Sequence, residues 1–347
     1  MLRTGVLRRV RTLSRAIQRA QLHTVQVDRL TDFEHVFDST NQFAAVGNRA
    51  VLKVSGLDAR EFLQGMQCND MESAHNGGML TGFLSPQGRI LADAFIYALP
   101  ESSYLVEVDT RVRERMQRML GFYRLRARVE ISDVSNECNV WQVWGPQSPH
   151  LSFDGVAHMA DTRAPHMGVR VVGTSRPPAF SDFDEQPSTL YELRRILKGV
   201  AEGADDFVDA SLPLECNLDY MQGVHFGKGC YVGQELTIRT HHRGVVRKRI
   251  VPVLFSPVDH GLRVPLRVSD EWAPELAQRD VVPSGARARR PGRVGSTAGN
   301  AGLALMRVEH VEQFATQTDD QMHFEAECAD GQRVCVSPWL PSWWPKQ

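Results

Sequence analysis

Long apolar runs, net charge and regularly spaced cysteines are all missing from this chain of 347 residues. No apolar stretch approaches the ~20 residues that a membrane-spanning helix needs, so no membrane span is expected. The 40 Lys and Arg against 41 Asp and Glu leave a formal charge of −1. That balance argues against a dedicated nucleic-acid binder, which needs a basic surface. The six cysteines, at 68, 138, 216, 230, 328 and 335, are sparse and irregular, unlike a secreted disulfide scaffold. Asn-x-Ser/Thr acceptors are also absent. Both features point to a reducing, intracellular compartment.

Several catalytic motifs are missing too. There is no Gly-x-Ser-x-Gly, no His-Glu-x-x-His and no dinucleotide fingerprint. Gly223-Val-His-Phe-Gly227-Lys228-Gly229 imitates a phosphate loop, but its spacing is one short and Gly stands where Ser or Thr would hold Mg²⁺. Cys328 and Cys335 lack zinc-site spacing and read as core residues of strands. His241-His242 are adjacent, and on a strand they would face opposite ways.

The amino terminus differs from the rest. Arg3, Arg8, Arg9, Arg11, Arg15 and Arg19 all precede the first acid, Asp28. Leu2, Val6, Val10, Leu13 and Ile17 recur at the spacing of one helix face. An arginine-rich, acid-free, amphipathic start has the character of a mitochondrial transit peptide, taken as residues 1–24. The protein is therefore expected in the mitochondrial matrix.

Length allows a real core and about two or three domains. Strands are expected near 46–52, 79–84, 90–99, 104–108, 129–131 and 140–143, and helices at 58–67, 110–121 and 191–197. Ser85-Pro86-Gln87-Gly88 has hairpin-turn composition. Residues 145–188, rich in Pro, Gly and Ser, yield no element. From Arg249 onward strands dominate, split by a loop-like stretch at 283–300 that carries Arg287, Arg289, Arg290 and Arg293. The tail holds Trp339, Trp343 and Trp344, whose indoles are expected to dock on the parent domain. Mixed helices and antiparallel strands indicate an α+β protein.

The chemistry concentrates in 212–249. Cys230 lies in a glycine turn, two positions from Lys228. A thiolate is the nucleophile and metal ligand, and a nearby cation favours it; the competing reading is a buried, inert cysteine. Around it Glu215, Asn217, Asp219, Gln234, Glu235 and Arg239 supply carboxylates, amides and a guanidinium. Carboxylates can accept from a pteridine's amino group and ring N–H, and Arg can grip a folate's carboxylates. The same residues could instead cap and bridge secondary structure.

Lys228-Gly-Cys-Tyr-Val-Gly-Gln-Glu235, followed by Thr237-x-Arg239-x-x-x-Arg243-Gly244, closely resembles the signature of the folate-binding YgfZ-like family, relatives of the glycine-cleavage T-protein. Gln64-Gly65 with Asn69-Asp70, Gly88 to Asp93, Lys198 to Gly203, Pro213 to Asp219 and Ala301 to Arg307 resemble its other blocks. The resemblance implies a multidomain ring of ferredoxin-like α+β domains, here 25–248, and a C-terminal β-barrel with a Trp-rich tail, 249–347. It implies tetrahydrofolate in a central channel, with Asn69, Asp93, Glu215, Asn217, Gln234, Glu235 and Arg239 as binding residues. It implies Cys230 as the key thiol and a ligand of a transient, shared iron–sulfur cluster. The implied role is late maturation of [4Fe–4S] proteins such as aconitase and lipoyl synthase, with A-type scaffold proteins as partners.

One departure bears on activity. The aminomethyltransferase carries paired acids where this chain has Ala92-Asp93. The alternative, a tetrahydrofolate-dependent one-carbon transferase, loses an acid that would assist at the reacting amine. A non-enzymatic or weakly enzymatic maturation factor is the favoured expectation.

Overall fold

The computed structural model describes residues 25–207, 211–258, 266–283, 292–316 and 323–345. The transit-peptide segment and Arg287, Arg289 and Arg290 lie outside these residues. The chain divides into two compact units, one of residues 42–188 and 201–246, the other of 1–41, 189–200 and 247–347.

The larger unit holds two five-stranded sheets. In the first, the strands Gly78–Leu84, Ile90–Leu99, Ser103–Asp109, Arg49–Ser55 and Glu130–Asp133 lie side by side, all antiparallel. Ser85-Pro86-Gln87-Gly88 makes the expected hairpin turn, with Gly88 N–H donating to Ser85 O at 2.8 Å. The helices Ala59–Met66 and Arg113–Arg124 cover one face. Phe62, Leu63, Met66, Met116 and Leu120 pack there against Leu52, Val54, Phe83, Ile96 and Val106. These are the apolar positions of two amphipathic helices meeting alternating strand residues.

The second sheet runs Asp184–Gln186, Gln42–Ala45, Asn139–Trp144, Val169–Gly173, Ala157–Ala160, with only the first pair parallel. Three of its strands come from 145–188, where the sequence reading expected no element. They are short and interrupted by turns, so no periodicity marks them. Phe43, Trp141, Val143, Val171 and Phe180 form its core.

A buried ionic cluster also occupies this unit. Glu107 accepts from Arg49 Nε at 2.8 Å, Arg170 Nη2 at 2.6 Å and the Tyr97 hydroxyl at 2.8 Å. Arg163 donates to Asp161 and to Glu202, at 2.7 and 2.5 Å. The guanidinium carbons of Arg163 and Arg170 lie 4.8 and 4.9 Å from the Phe95 ring centroid, a cation–π arrangement. The charged side chains of all six, Arg49, Glu107, Asp161, Arg163, Arg170 and Glu202, are fully buried.

In the other unit, Lys248–Pro257, Ala301–Arg307, Gly292–Ala298, Asp280–Pro283, Phe324–Glu327 and Arg333–Pro338 close into a barrel. Val253, Phe255, Val281, Val294, Met306, Phe324 and Val336 fill it. Gly292–Ala298 corrects the expected loop at 283–300. Its Gly, Ser and Thr residues hide a strand that pairing with Ala301–Arg307 enforces. Cys328 and Cys335 are buried, as expected of core positions. The tail docks within this unit: Trp339 is 3% exposed, and Trp343 Nε1 donates to Lys198 O at 2.8 Å. Ser342 Oγ meets Glu34 Oε2 at 2.6 Å.

Candidate functional site

Residues 223–233 are strapped across the end of the Ala59–Met66 helix. His225 N–H donates to Cys68 O at 3.0 Å, and Val232 N–H to Gly65 O at 3.1 Å. Between them Lys228 Nζ donates to Gln64 O, Gln67 O and Asn69 O at 2.6, 2.7 and 2.6 Å. A helix end leaves carbonyls without intrahelical partners and carries partial negative charge, so an ammonium suits it. Burial pulls the Lys228 pKa down to about 8, against the opposing pull of Cys68 and Asp70.

This corrects the expectation that Lys228 serves the Cys230 thiol. An ammonium has three N–H donors, and all three are spent on carbonyls. Lys228 is an anchor for the loop. Lys228→Met is expected to lower unfolding free energy by about 1.5–3 kcal/mol, the range for hydrogen bonds to charged groups. Urea unfolding checks this; a loss below about 0.5 kcal/mol, the scatter of ordinary surface changes, would contradict it.

The far side of the loop is fixed by a glycine pair. Gly233, at φ +79°, precedes the helix Gln234–Arg243. A Cβ on it would lie 2.2 Å from Ser85 O, and one on Gly88 would lie 2.8 Å from Gly233 O. The hairpin turn thus presses directly on the backbone that starts the helix. Only residues without a Cβ tolerate such an approach at positive φ.

Between anchor and helix lies an open depression of about 710 Å³. Its wall includes Cys230, Lys228, Gln234, Glu235, Arg239 and His242. Positions 235, 239 and 242 share one face of the helix, as the 3.6-residue period requires. His241 stacks on Phe226, with ring centroids 3.6 Å apart and planes 9° from parallel. The adjacent histidines therefore sit on a helix, not the strand considered from sequence. Cys230 is the exposed cysteine among the described residues; Cys68, Cys216, Cys328 and Cys335 are buried and Cys138 is half-buried. Burial raises the thiol pKa of each of these five.

The other expected site residues separate. Glu235 and Arg239 are exposed in the wall, and Gln234 accepts from Tyr231 N–H at 3.3 Å. Asn69 is buried, donating to Leu80 O at 2.7 Å and Gln222 O at 2.9 Å while accepting from Asp70 N–H at 2.8 Å. Asp93 is buried, accepting from Arg49 at 3.1 Å and Gly203 N–H at 3.1 Å. Burial raises its pKa, against the pull of Arg49. Asn217 is fully buried at φ +61°, and Glu215 is half-buried outside the wall. Phe226, Ile238, His242 and Arg243 in the wall were missed. Reading 234–243 as a helix would have put Ile238 and His242 beside Gln234 and Glu235.

The depression offers an exposed thiol, room beside it and a wall rich in cations. A thiolate is a soft ligand for iron or copper. Among the described residues no group of three His, Cys, Asp or Glu side chains could hold a metal ion. Among the described residues, Cys230 therefore has no companion ligands for a metal ion.

Residues 41–176 match the GCVT N-terminal domain family, and residues 247–346 match the CAF17 C-terminal beta-barrel domain family. The chain is 37% identical to the "Iron-sulfur cluster assembly factor IBA57 homolog, mitochondrial" of Mycosarcoma maydis, over 88% of this chain and 86% of that one. It is 38% identical to the protein of the same name from Pyricularia oryzae, over 78% of this chain and 72% of that one. The fold is similar to the crystal structure of the glycine cleavage system aminomethyltransferase T from Bartonella henselae, with a TM-score of 0.63, 12% identity and coverage of 90% and 89%. That likeness is one of fold alone. On the breadth and identity of the first two matches, this chain belongs to the IBA57 family of mitochondrial iron–sulfur cluster assembly factors.

Proposed function

We infer that the protein is a mitochondrial iron–sulfur cluster assembly factor that supports maturation of [4Fe–4S] proteins through Cys230. The carrying observation is the exposed thiol of Cys230 on an open depression. Iron–sulfur clusters take about four protein ligands, commonly thiolates. One exposed cysteine therefore suits a cluster that is cargo, held jointly with a partner that supplies the remaining thiolates. A-type scaffold proteins are the partners this reading names, and [4Fe–4S] apoproteins are the recipients. Arg239 and Arg243 in the wall offset the negative charge of a thiolate-ligated cluster.

Tetrahydrofolate, the ligand that the fold family implies, fits the expected residues only in part. Asn69 and Asp93 have their polar atoms engaged within the protein. A folate at the depression would rest on Gln234, Glu235 and Arg239, with Arg239 suited to its carboxylates, whereas Glu215 lies outside that wall and Asn217 is buried. When bound it would supply one-carbon carrier chemistry. The one-carbon transferase alternative has little to stand on. Ala92 replaces one acid, and Asp93 is 2% exposed and paired with Arg49.

Anaerobic cluster reconstitution with an A-type partner tests the proposal. The wild type is expected to give the visible absorption of a cluster in a complex with the partner. Cys230→Ser is expected to leave the partner alone. Equal absorption and equal complex in both would end the shared-ligand reading.

A further inference from the structure

A second surface, in the larger unit, is rich in arginine. Residues 110–128 contain seven arginines and one acid, Glu114, in a protein of formal charge −1. The helix Arg113–Arg124 turns Met116 and Leu120 inward. Its outer face carries Arg115, Arg118 and Phe122, at the i, i+3, i+7 spacing of one stripe. Phe122 is 74% exposed, and Leu125, just past the helix end, is 84% exposed.

Leu125 is also conformationally unusual. Its φ of 44° and ψ of −107° place it in a region that L-residues rarely adopt. Ala127 N–H donates to Arg124 O at 2.8 Å, so Leu125 occupies the first central position of a tight turn. Glycine suits that position. A leucine displayed to solvent there gains nothing for the fold and strains the backbone, the pattern of a side chain kept for an external contact. Alongside, Asp58 N–H donates to Arg128 O, and the Arg128 guanidinium grips the Asp58 carboxylate. This fixes the loop that carries Leu57, itself 76% exposed.

Charge distinguishes the possible occupants. Arg124 and Arg126 are exposed and form no ion pair among the described residues. Arg118 meets only Glu114, at 3.7 Å with both side chains largely exposed. Strongly exposed apolar side chains beside two arginines that form no ion pair among the described residues match the way a protein touches an anionic lipid surface. The apolar groups enter the headgroup boundary while the cations stay with the phosphates.

We propose that Phe122, Leu125 and Leu57, with Arg118, Arg124 and Arg126, form a peripheral docking tip for an anionic membrane surface. The tip lies outside the Cys230 depression and does not depend on the cluster-sharing proposal. Co-sedimentation with vesicles of equimolar phosphatidylcholine and phosphatidylglycerol tests it. The wild-type chain without the transit-peptide segment 1–24 is expected to partition to these vesicles, and not to pure phosphatidylcholine. Phe122→Ser with Leu125→Gly is expected to weaken partitioning at least about tenfold, as is Arg124→Gln with Arg126→Gln, given roughly 1 kcal/mol per basic residue at such a surface. Leu125→Gly relieves the backbone, so loss of binding cannot come from unfolding of the turn. Variants that bind as well as wild type overturn the proposal. So does a wild type that ignores anionic vesicles, even if the variants lose a cross-linked protein neighbour in mitochondria, which would assign the tip to a protein partner.

Discussion

Mitochondria whose only copy of this protein carries Cys230→Ala are expected to show aconitase activity and protein lipoylation as low as mitochondria without the protein. A cluster that loses one of about four ligands is not held at a shared site. No other thiol is placed to substitute, since the remaining described cysteines are buried or half-buried. The expectation is specific to chemistry, because exposed side chains away from caps and networks change stability by only about 0.5 kcal/mol. The variant should therefore accumulate to wild-type levels. Aconitase assays and lipoyl immunoblots, with a cluster-free matrix enzyme as control, provide the check. Normal activities at normal protein level would remove Cys230 from the mechanism.

The largest stability effect should come from Glu107→Ala. The substitution leaves two buried guanidiniums, those of Arg49 and Arg170, without their shared carboxylate. Removing one partner of a buried ion pair costs about 3–5 kcal/mol, because the remaining charge stays desolvated. That is a large share of the 5–15 kcal/mol by which domains are typically stable. Urea unfolding followed by tryptophan fluorescence measures it. A loss under about 1 kcal/mol, the mean for ordinary substitutions, would mean that the cluster is not structurally important. Replacing Glu107 and Arg170 together by methionine should recover part of the loss, since an apolar pair of similar volume avoids the stranded charge.

Acid should act through the same group. Glu107 is fully buried, yet the attraction of Arg170 and Arg49 outweighs its desolvation and lowers its pKa. A lowered carboxylate contributes stability above its unfolded value, about 4.3, and loses it as the pH falls below that. Asp93 runs the other way: burial raises its pKa. Its ionisation costs stability as the pH rises from the unfolded value through the folded one.

How far the sequence foretold these features depended on distance along the chain. The hairpin 78–99 was legible because its apolar alternation and its turn composition are both local. The helix at 59–66 was likewise written within a few residues, whereas the local sequence left Cys230 open between an exposed thiol and a buried one, and the structure places it exposed. The ionic cluster was not legible, because most of its ion pairs join residues 39, 44, 58 and 63 positions apart. Lys228 was misassigned for the same reason. Its neighbour in sequence is Cys230, but its hydrogen-bond acceptors are 159 to 164 residues away. The strand Gly292–Ala298 escaped because barrel closure, not residue preference, makes it extended. Of the expected folate residues, Glu235 and Arg239 meet at the depression, while Asn69 and Asp93 turned out to be parts of the scaffold.

The smaller unit is assembled from both ends of the sequence. The strand Val25–Val27 pairs with Leu266–Val268, and Glu34 accepts from Ser342, 308 positions further on. A polypeptide threaded into an organelle amino end first delivers residues 25–41 long before 333–344. The larger unit, built from the continuous stretches between, has all its material earlier. Asp38 meets Arg194 and Lys198 early, but Val25–Val27 lacks its partner strand until residue 268 has followed, and Glu34 lacks Ser342 until the tail has crossed. The barrel unit is thus the part of the molecule most exposed to interruption during import, and the part most in need of a chaperone while the rest of the chain follows.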